Sequence, residues 1–140
     1  MLKNTHDAED VLQNTFVDIF TKLESFAYQS TIGAWMKRIT INNCINFLKA
    51  RKLDWSELEA KHMNYEEPAP EPTIGLSVEV VQKAMNHLAD GYRVIFSLYA
   101  IEGYDHEEIG QILGISESTS KSQYSRAKLK LNGILKQQNI

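Results

Sequence analysis

Residues 103–131 read GYDHEEIGQILGISESTSKSQYSRAKLKL, and this stretch decides the fold. Asp105 and Glu108 form an Asp-x-x-Glu capping box, in which each side chain satisfies a free backbone donor at a helix start. Ile109, Ile112 and Leu113 follow at the spacing of one buried helical face. Gly114 supplies the left-handed backbone that a helix end and sharp turn require. Ile115 plugs the corner, and Ser116 is a favourable cap for a second helix. That helix carries Lys121, Arg126, Lys128 and Lys130 among Ser118, Thr119, Ser122, Gln123 and Ser125. Its only acid is Glu117, in the first turn, where the helix dipole favours it. Gly110 is small where the helices cross. The pattern predicts a helix-turn-helix, whose second helix enters a DNA groove.

Outward from that motif, the 140 residues allow one domain or two small helical ones. A hydrophobic content of 43% and a charged content of 24% suit a globular chain. There is no apolar run of bilayer-spanning length and no signal peptide, so a cytoplasmic protein without membrane insertion is expected. The single cysteine, Cys44, excludes internal disulfides and cysteine-based zinc sites. A net charge of −3 conceals a pattern. Phe26 to Lys52 holds five cations and no acid, and Glu117 to Ile140 holds five cations against one acid. Between Asp54 and Glu108 twelve acids face three cations. Two basic blocks around an acidic one imply two nucleic-acid contacts, with other surfaces left for protein partners.

Residues 5–24 read as a helix with acids in its first turn. Val11, Leu12, Thr15, Phe16, Ile19, Phe20 and Leu23 make its apolar face, and spacing alone makes the acidic end a solvated helix start. Phe26 to Thr31 is a loop carrying aromatics. A second helix runs from about Ile32 to Lys52, with Ile32, Trp35, Met36, Ile39, Ile45 and Leu48 inward and Asn42, Asn43 and Asn46 interrupting that face. Trp35 reads as core, Tyr28 as an open ring able to meet a base. Residues 53–75 form a Pro/acidic linker containing Pro68, Pro70 and Pro72. Leu76 to Leu88 is helical, Asp90-Gly91 breaks that helix, and Tyr92 to Gly103 forms a strongly apolar helix. The fold class is therefore all-α: two small helical domains, 1–52 and 76–140, the second a four-helix domain containing the helix-turn-helix, of the winged-helix-like superfamily.

At this point three blocks resemble one family. DAEDVLQNTF (7–16), GAWMKRITINNCINFLK (33–49) and LADGYRVIFSLYAIEGYDHEEIGQILGISESTSKSQYSRAKLKL (88–131) are similar, in order and spacing, to the extracytoplasmic-function (ECF) group of sigma-70 RNA polymerase factors. The resemblance implies a transcription initiation factor, not an enzyme. Region 2 (1–52) would melt and read the minus-ten element, and region 4 (76–140) would read the minus-thirty-five element. It assigns Asp7, Glu9, Asp10, Gln13 and Phe16 to core polymerase. It assigns Tyr28, Gln29, Ser30, Lys37, Arg38, Asn42 and Arg51 to the minus-ten strand. Ser116, Glu117, Ser118, Thr119, Lys121, Ser122, Gln123 and Arg126 fall to minus-thirty-five DNA. Core polymerase, promoter DNA and an anti-sigma factor are the implied partners, with no cofactor, metal or small-molecule substrate.

Departures from the family pattern are specific. One or two helices normally precede the DAED segment, where six residues stand here, so the domain is expected to lack the first helices of region 2 and to leave Phe16, Phe20, Trp35 and Ile39 incompletely covered. Ala89 replaces a proline, Gln123 an arginine, Ser120 an aliphatic residue, Lys49 an arginine and Asn46 an aspartate. The alternative is a stand-alone helix-turn-helix repressor or response-regulator-like protein, which leaves the N-terminal acidic helix, aromatic loop and basic helix without a role. Catalysis has no support: His6, His62, His87 and His106 are scattered, without a metal-binding pair, a phosphate loop or a nucleophile elbow.

Overall fold

The computed structural model describes residues 1–51 and 75–138. Nearly all of the expected linker, and the basic residue Lys52 before it, lie outside the described residues. The chain divides into two compact units, Met1–Leu53 and Asp54–Ile140. Every element among the described residues is helical.

The N-terminal unit is a helical hairpin. Helix α1 (Thr5–Lys22) starts at Asn4, whose side-chain oxygen accepts hydrogen bonds from the backbone N–H groups of His6 and Asp7. A 3-10 turn (Leu23–Ser25) and a loop lead to α2 (Ile32–Ala50), capped by the Thr31 hydroxyl accepting from the Ala34 N–H at 3.2 Å. Val11, Thr15 and Ile19 of α1 are buried, as are Ile41, Ile45 and Leu48 of α2. A polar link crosses midway between the helices: the Asn43 amide donates to the Asp18 carboxylate at 2.8 Å and to the Thr15 hydroxyl at 3.2 Å. Thr15 in turn donates to the Val11 carbonyl at 2.7 Å. Of the three asparagines on α2, Asn43 therefore faces inward and is satisfied, whereas Asn42 and Asn46 are exposed.

The apolar face of α1 differs from the sequence reading. Leu12, Phe16, Phe20 and Leu23 stay exposed. At about 100° per residue the apolar positions spread over two adjoining stripes. One helix, α2, covers only the stripe of Val11, Thr15 and Ile19.

The described residues of the C-terminal unit form four α-helices. Helix α3 (Val78–Met85) is capped by Ser77, and α4 (Asp90–Phe96) runs into a π-helical turn, Ser97–Ile101. Helix α5 (His106–Leu113) and the long α6 (Glu117–Gln138) complete it. The core joins Ala84, Met85 and Leu88 to Tyr92, Ala127, Leu131 and Leu135. Val94, Ile95, Leu98 and Ile109 are wholly inaccessible to solvent. The break between the two helices falls earlier than expected, after Met85, and Asp90-Gly91 begins α4. Asp90 sits in the first turn, where the dipole favours an acid, and its carboxylate accepts from the buried guanidinium of Arg93. That guanidinium also donates to the Leu88 carbonyl at 3.0 Å, satisfying a group orphaned between the helices. Nor does the helix run regularly to Gly103: the Glu102 N–H bonds to the Ser97 carbonyl, widening the last turn.

The helix-turn-helix follows its sequence signals closely. Both capping-box hydrogen bonds between Asp105 and Glu108 are present at 2.8 Å. Gly114 has φ +70°, and the Ile115 N–H returns to the Gly110 carbonyl at 3.0 Å. A Cβ on residue 110 would stand 2.7 Å from the Ile115 carbonyl oxygen, a contact only glycine avoids. Gly133, within α6, meets nothing within 4 Å. Gly110→Ala is therefore expected to destabilise the protein by about 1–3 kcal/mol. Gly133→Ala should stabilise it by about 0.5–1 kcal/mol. Thermal denaturation of the two variants checks the pair, and equal shifts would show that close approach at 110 does not govern the turn.

Candidate functional site

The N-terminal unit presents an aromatic loop at the start of α2. Tyr28 is 86% exposed and has φ +57°, a left-handed backbone that a bulky side chain adopts only under constraint. Phe26 lies behind it, its ring centroid 4.7 Å from that of Tyr28 and 5.2 Å from that of Trp35. Leu23, Phe26, Tyr28, Ser30, Thr31 and Ile32 line an open cleft of about 510 Å³. A flat ring held at the mouth of an apolar cleft can stack with an unpaired base. Gln29, Ser30 and Asn42 are exposed, whereas Lys37 and Arg38 are half-buried on α2. Sequence reading missed Phe26, Leu23 and Ile32 as cleft walls. The clue was available in the spacing of Phe26 and Tyr28 beside Trp35, but the backbone reversal that brings them together leaves no periodic trace.

Two residues assigned to separate surfaces are paired instead. The Arg51 guanidinium lies 2.8 Å from the Asp7 carboxylate and 4.4 Å over the ring of Phe47, and the Asp7 side chain is only 14% exposed. Asp7 thus faces α2 and ties the ends of the two helices, whereas the Arg51 side chain stays about half exposed beside it. Glu9, Gln13 and Phe16 share another, exposed face of α1, with Asp10 beside them and 3.7 Å from the His6 imidazole.

In the C-terminal unit the second helix of the motif offers an exposed N-terminal end. The Ser116 hydroxyl accepts from the Thr119 N–H at 3.1 Å and donates to the Thr119 hydroxyl at 2.8 Å, fixing the cap. Ser116, Glu117, Ser118 and Lys121 are exposed, while Thr119, Ser122 and Arg126 are half-buried. Lys121 pairs with Glu117 at 2.8 Å, and that partner raises its pKa. An exposed pair of this kind is weak and open to exchange for a phosphate.

Gln123 is the exception. It is fully buried, so the expectation that it faces DNA is corrected: at about 100° per residue it lies on the stripe of Ser120, Ala127 and Leu131. Neither its amide atoms nor the buried Ser97 hydroxyl has a hydrogen-bond partner among the described residues. Such orphaned groups cost about 1–3 kcal/mol each.

His106, one of the scattered histidines, links the two helices of the motif. Its Nδ1 lies 2.9 Å from the Ser120 hydroxyl, and its ring stacks on Tyr99 at 4.4 Å. Ser120, in a slot where an aliphatic residue was expected, thus exchanges packing for a hydrogen bond. Tyr124 closes the cluster, 4.4 Å from Tyr99 and 5.8 Å from His106, with Lys128 over its ring. Among the described residues no group of acids, histidines and cysteine could hold a metal ion, and no helix is long and apolar enough to cross a membrane.

Burial, and then the Lys121 ammonium, lower the His106 pKa below its ordinary value of 6.5, against the smaller opposing pull of Glu117 and Asp105. The fold favours the neutral ring, so the unfolded chain takes up this proton first. Stability is full above about pH 6.5 and falls as the pH drops below it. His106→Gln is expected to flatten that part of the acid limb; a melting temperature falling equally in both proteins between pH 6.5 and 5 would refute the assignment.

Comparison with known proteins gives consistent matches. The family model for Sigma-70 region 2 matches residues 1–53, and that for Sigma-70, region 4, matches residues 79–131. The chain is 29% identical to the ECF RNA polymerase sigma factor SigE of Mycolicibacterium smegmatis, over 94% of this chain and 53% of that one. It is 27% identical to the ECF RNA polymerase sigma factor SigM of Mycobacterium tuberculosis, over 95% of this chain and 66% of the other. It therefore spans about half to two thirds of these relatives' length. Among solved structures it resembles the sigma factor RpoE in complex with the anti-sigma factor NepR from Bartonella quintana, with a TM-score of 0.61 and 28% identity. That match covers 91% of this chain and 80% of the other. CnrH, in complex with the cytosolic domain of CnrY, gives a TM-score of 0.57 at 25% identity, over 95% of this chain and 73% of that one.

Proposed function

The chain belongs to the sigma-70 family, and on that footing we propose that it is a transcription initiation factor that binds core RNA polymerase and directs it to promoters. The observation that carries the reading is the presence of both regions on one chain, in family order: an aromatic-mouthed cleft beside a basic helix, followed by a helix-turn-helix. In this proposal residues 1–52 act as region 2, 53–75 as the linker and 76–140 as region 4. The protein works in the cytoplasm and catalyses nothing; phosphodiester chemistry belongs to the polymerase. An anti-sigma protein is a further partner, as in the complexes of the two structural neighbours.

The geometry supports a role for each group. Tyr28 stacks with an unstacked minus-ten base while Gln29, Ser30 and Asn42 offer polar contacts around the cleft and Lys37 and Arg38 hold phosphates. Ser116, Ser118 and Lys121 meet the minus-thirty-five duplex from the first turns of α6, with Arg126 reaching phosphate from farther along. Glu9, Asp10, Gln13 and Phe16 supply the polymerase contact: acids and an amide around one exposed ring.

Co-elution of the purified chain with sigma-free core polymerase, followed by run-off transcription on genomic fragments, tests the whole proposal. Discrete transcript starts are the expected outcome. Tight duplex binding by the protein alone, without co-elution, would favour a repressor. Lys121→Ala with Arg126→Ala should cut transcription from promoters that depend on the upstream element by roughly ten-fold or more while co-elution persists. Loss of both would show that these side chains support the fold instead. Asp10→Arg should weaken co-elution by placing a cation where the polymerase meets acids; unchanged retention on the core enzyme would remove Asp10 from that surface.

A further inference from the structure

The two helices of the motif are joined at both ends of α5. At one end Gly114 turns the chain and the Ile115 N–H returns to the Gly110 carbonyl. At the other end stands His106, the first residue of α5, with its Nδ1 2.9 Å from the Ser120 hydroxyl of α6. A turn by itself is a hinge: it joins two helices and leaves their crossing angle free. A second attachment at the far end of α5, about 10 Å away along the axis, fixes that angle.

The attachment is built on both sides. Ser120 is wholly buried one turn after the Ser116 cap, whose carbonyl accepts its N–H at 3.0 Å. A buried hydroxyl needs a partner, and the imidazole answers it. An aliphatic side chain in that slot would pack without direction and tolerate sliding, whereas a hydrogen bond of this length does not. The His106 ring is held in turn. Tyr99 of the π-helical turn stacks on it at 4.4 Å with the planes 14° apart, and Tyr124 lies 5.8 Å away. The imidazole is therefore anchored to a third element and cannot simply follow α6.

We propose that His106 is a positioning residue for promoter reading: by holding Ser120 it fixes the angle at which the first turns of α6 present Ser116, Ser118 and Lys121 to duplex DNA, and acid releases that hold. The role rests on the minus-thirty-five reading above. Ser118 and Lys121 are close neighbours of Ser120 on the same helix, so any movement of Ser120 moves them.

The surroundings favour holding while the ring is neutral. Among the described residues it faces Asp105 at its own helix start, Glu117, Lys121, Tyr124 and Lys128 from α6, and Tyr99 from the π-helical turn. A cation in the first turn of α5 opposes the helix dipole, and partial burial and the two ammonium groups oppose it further. The two carboxylates pull the other way, and the tyrosine faces attract a cation. The balance lowers the His106 pKa below 6.5. Once charged, Nδ1 carries a proton and can no longer accept from Ser120. The held arrangement therefore prevails above about pH 6.5 and gives way as the pH falls below it.

The test uses the full chain on core polymerase, with Ser120→Ala, His106→Phe, the double variant of these two, and His106→Gln. Run-off transcription from a promoter found as above is divided by that from the same template with its upstream element scrambled. Ser120→Ala and His106→Phe should each lower this ratio about three- to ten-fold at neutral pH, the scale of one hydrogen bond, while co-elution persists. The double variant should fall no further than the worse single one, because both remove the same link. His106→Gln, whose amide can meet Ser120 without titrating, should keep the ratio within about two-fold of wild type. Between about pH 7.5 and 5.5 the ratio should drop several-fold for wild type and stay level for His106→Gln.

Additive losses in the double variant would overturn the proposal, since the two side chains would then serve packing separately. An unchanged ratio in both single variants would overturn it, as would an acid drop shared by wild type and His106→Gln. If circular dichroism shows Ser120→Ala unfolded, His106→Phe against His106→Gln carries the comparison, and equal losses in those two overturn it. A wild type that neither co-elutes nor transcribes would count against the sigma-factor reading instead. The melting temperatures of the same set then decide the link between the helices: non-additive losses keep it and additive losses overturn it.

Discussion

The Ile115 carbonyl oxygen comes so close to Gly110 that a Cβ there would stand 2.7 Å away, and the C-terminal unit depends on that approach. It lets the turn close within the few residues between Leu113 and Glu117. The Ile115 N–H then reaches the Gly110 carbonyl, and Gly114 takes the left-handed backbone that makes this possible. With the turn closed, His106 at the start of α5 comes within hydrogen-bonding distance of Ser120 in α6. The same turn leaves the Ser116 cap and Lys121 in solvent, on the end of α6 proposed to meet DNA. Packing and presentation thus share one steric origin.

Polar groups at the crossings have different fates. The Asn43 NH2 donates to both Thr15 and Asp18, and such a paired group fixes how two helices meet. Gln123, on the buried side of the helix that carries the exposed polar end, and Ser97 have no hydrogen-bond partners among the described residues. Stability lost there lies close to the surface proposed to read DNA, a common location for locally unfavourable groups. The Asp7–Arg51 pair, by contrast, uses charge for architecture, joining the start of α1 to the end of α2.

The boundaries of α5 and α6 were legible because each is set by local chemistry. Asp105 with Glu108, Gly114 and Ser116 form hydrogen bonds or backbone conformations within three or four residues of themselves, and the helices begin and end there. The inner face of α2 was legible in part: Ile45 and Leu48 are buried, while Ile32 turns to the cleft wall. Asp90-Gly91 misled, because an Asp-Gly pair suits both a turn and an acidic first helical turn. Arg93 and the Leu88 carbonyl settle the choice, through contacts that span several residues.

By itself the sequence determined the helical class, the two-unit order, the helix-turn-helix and the family, since periodicity, caps and motif order are properties of neighbouring residues. The tertiary structure alone decided which of two apolar stripes on α1 is covered, that Asp7 is joined to Arg51, that Gln123 points inward, and that Phe26 and Tyr28 frame a cleft. A helix of known periodicity still has a free choice of rotation until a partner packs against it. That choice depends on which residues, far apart in the chain, compete for the same space.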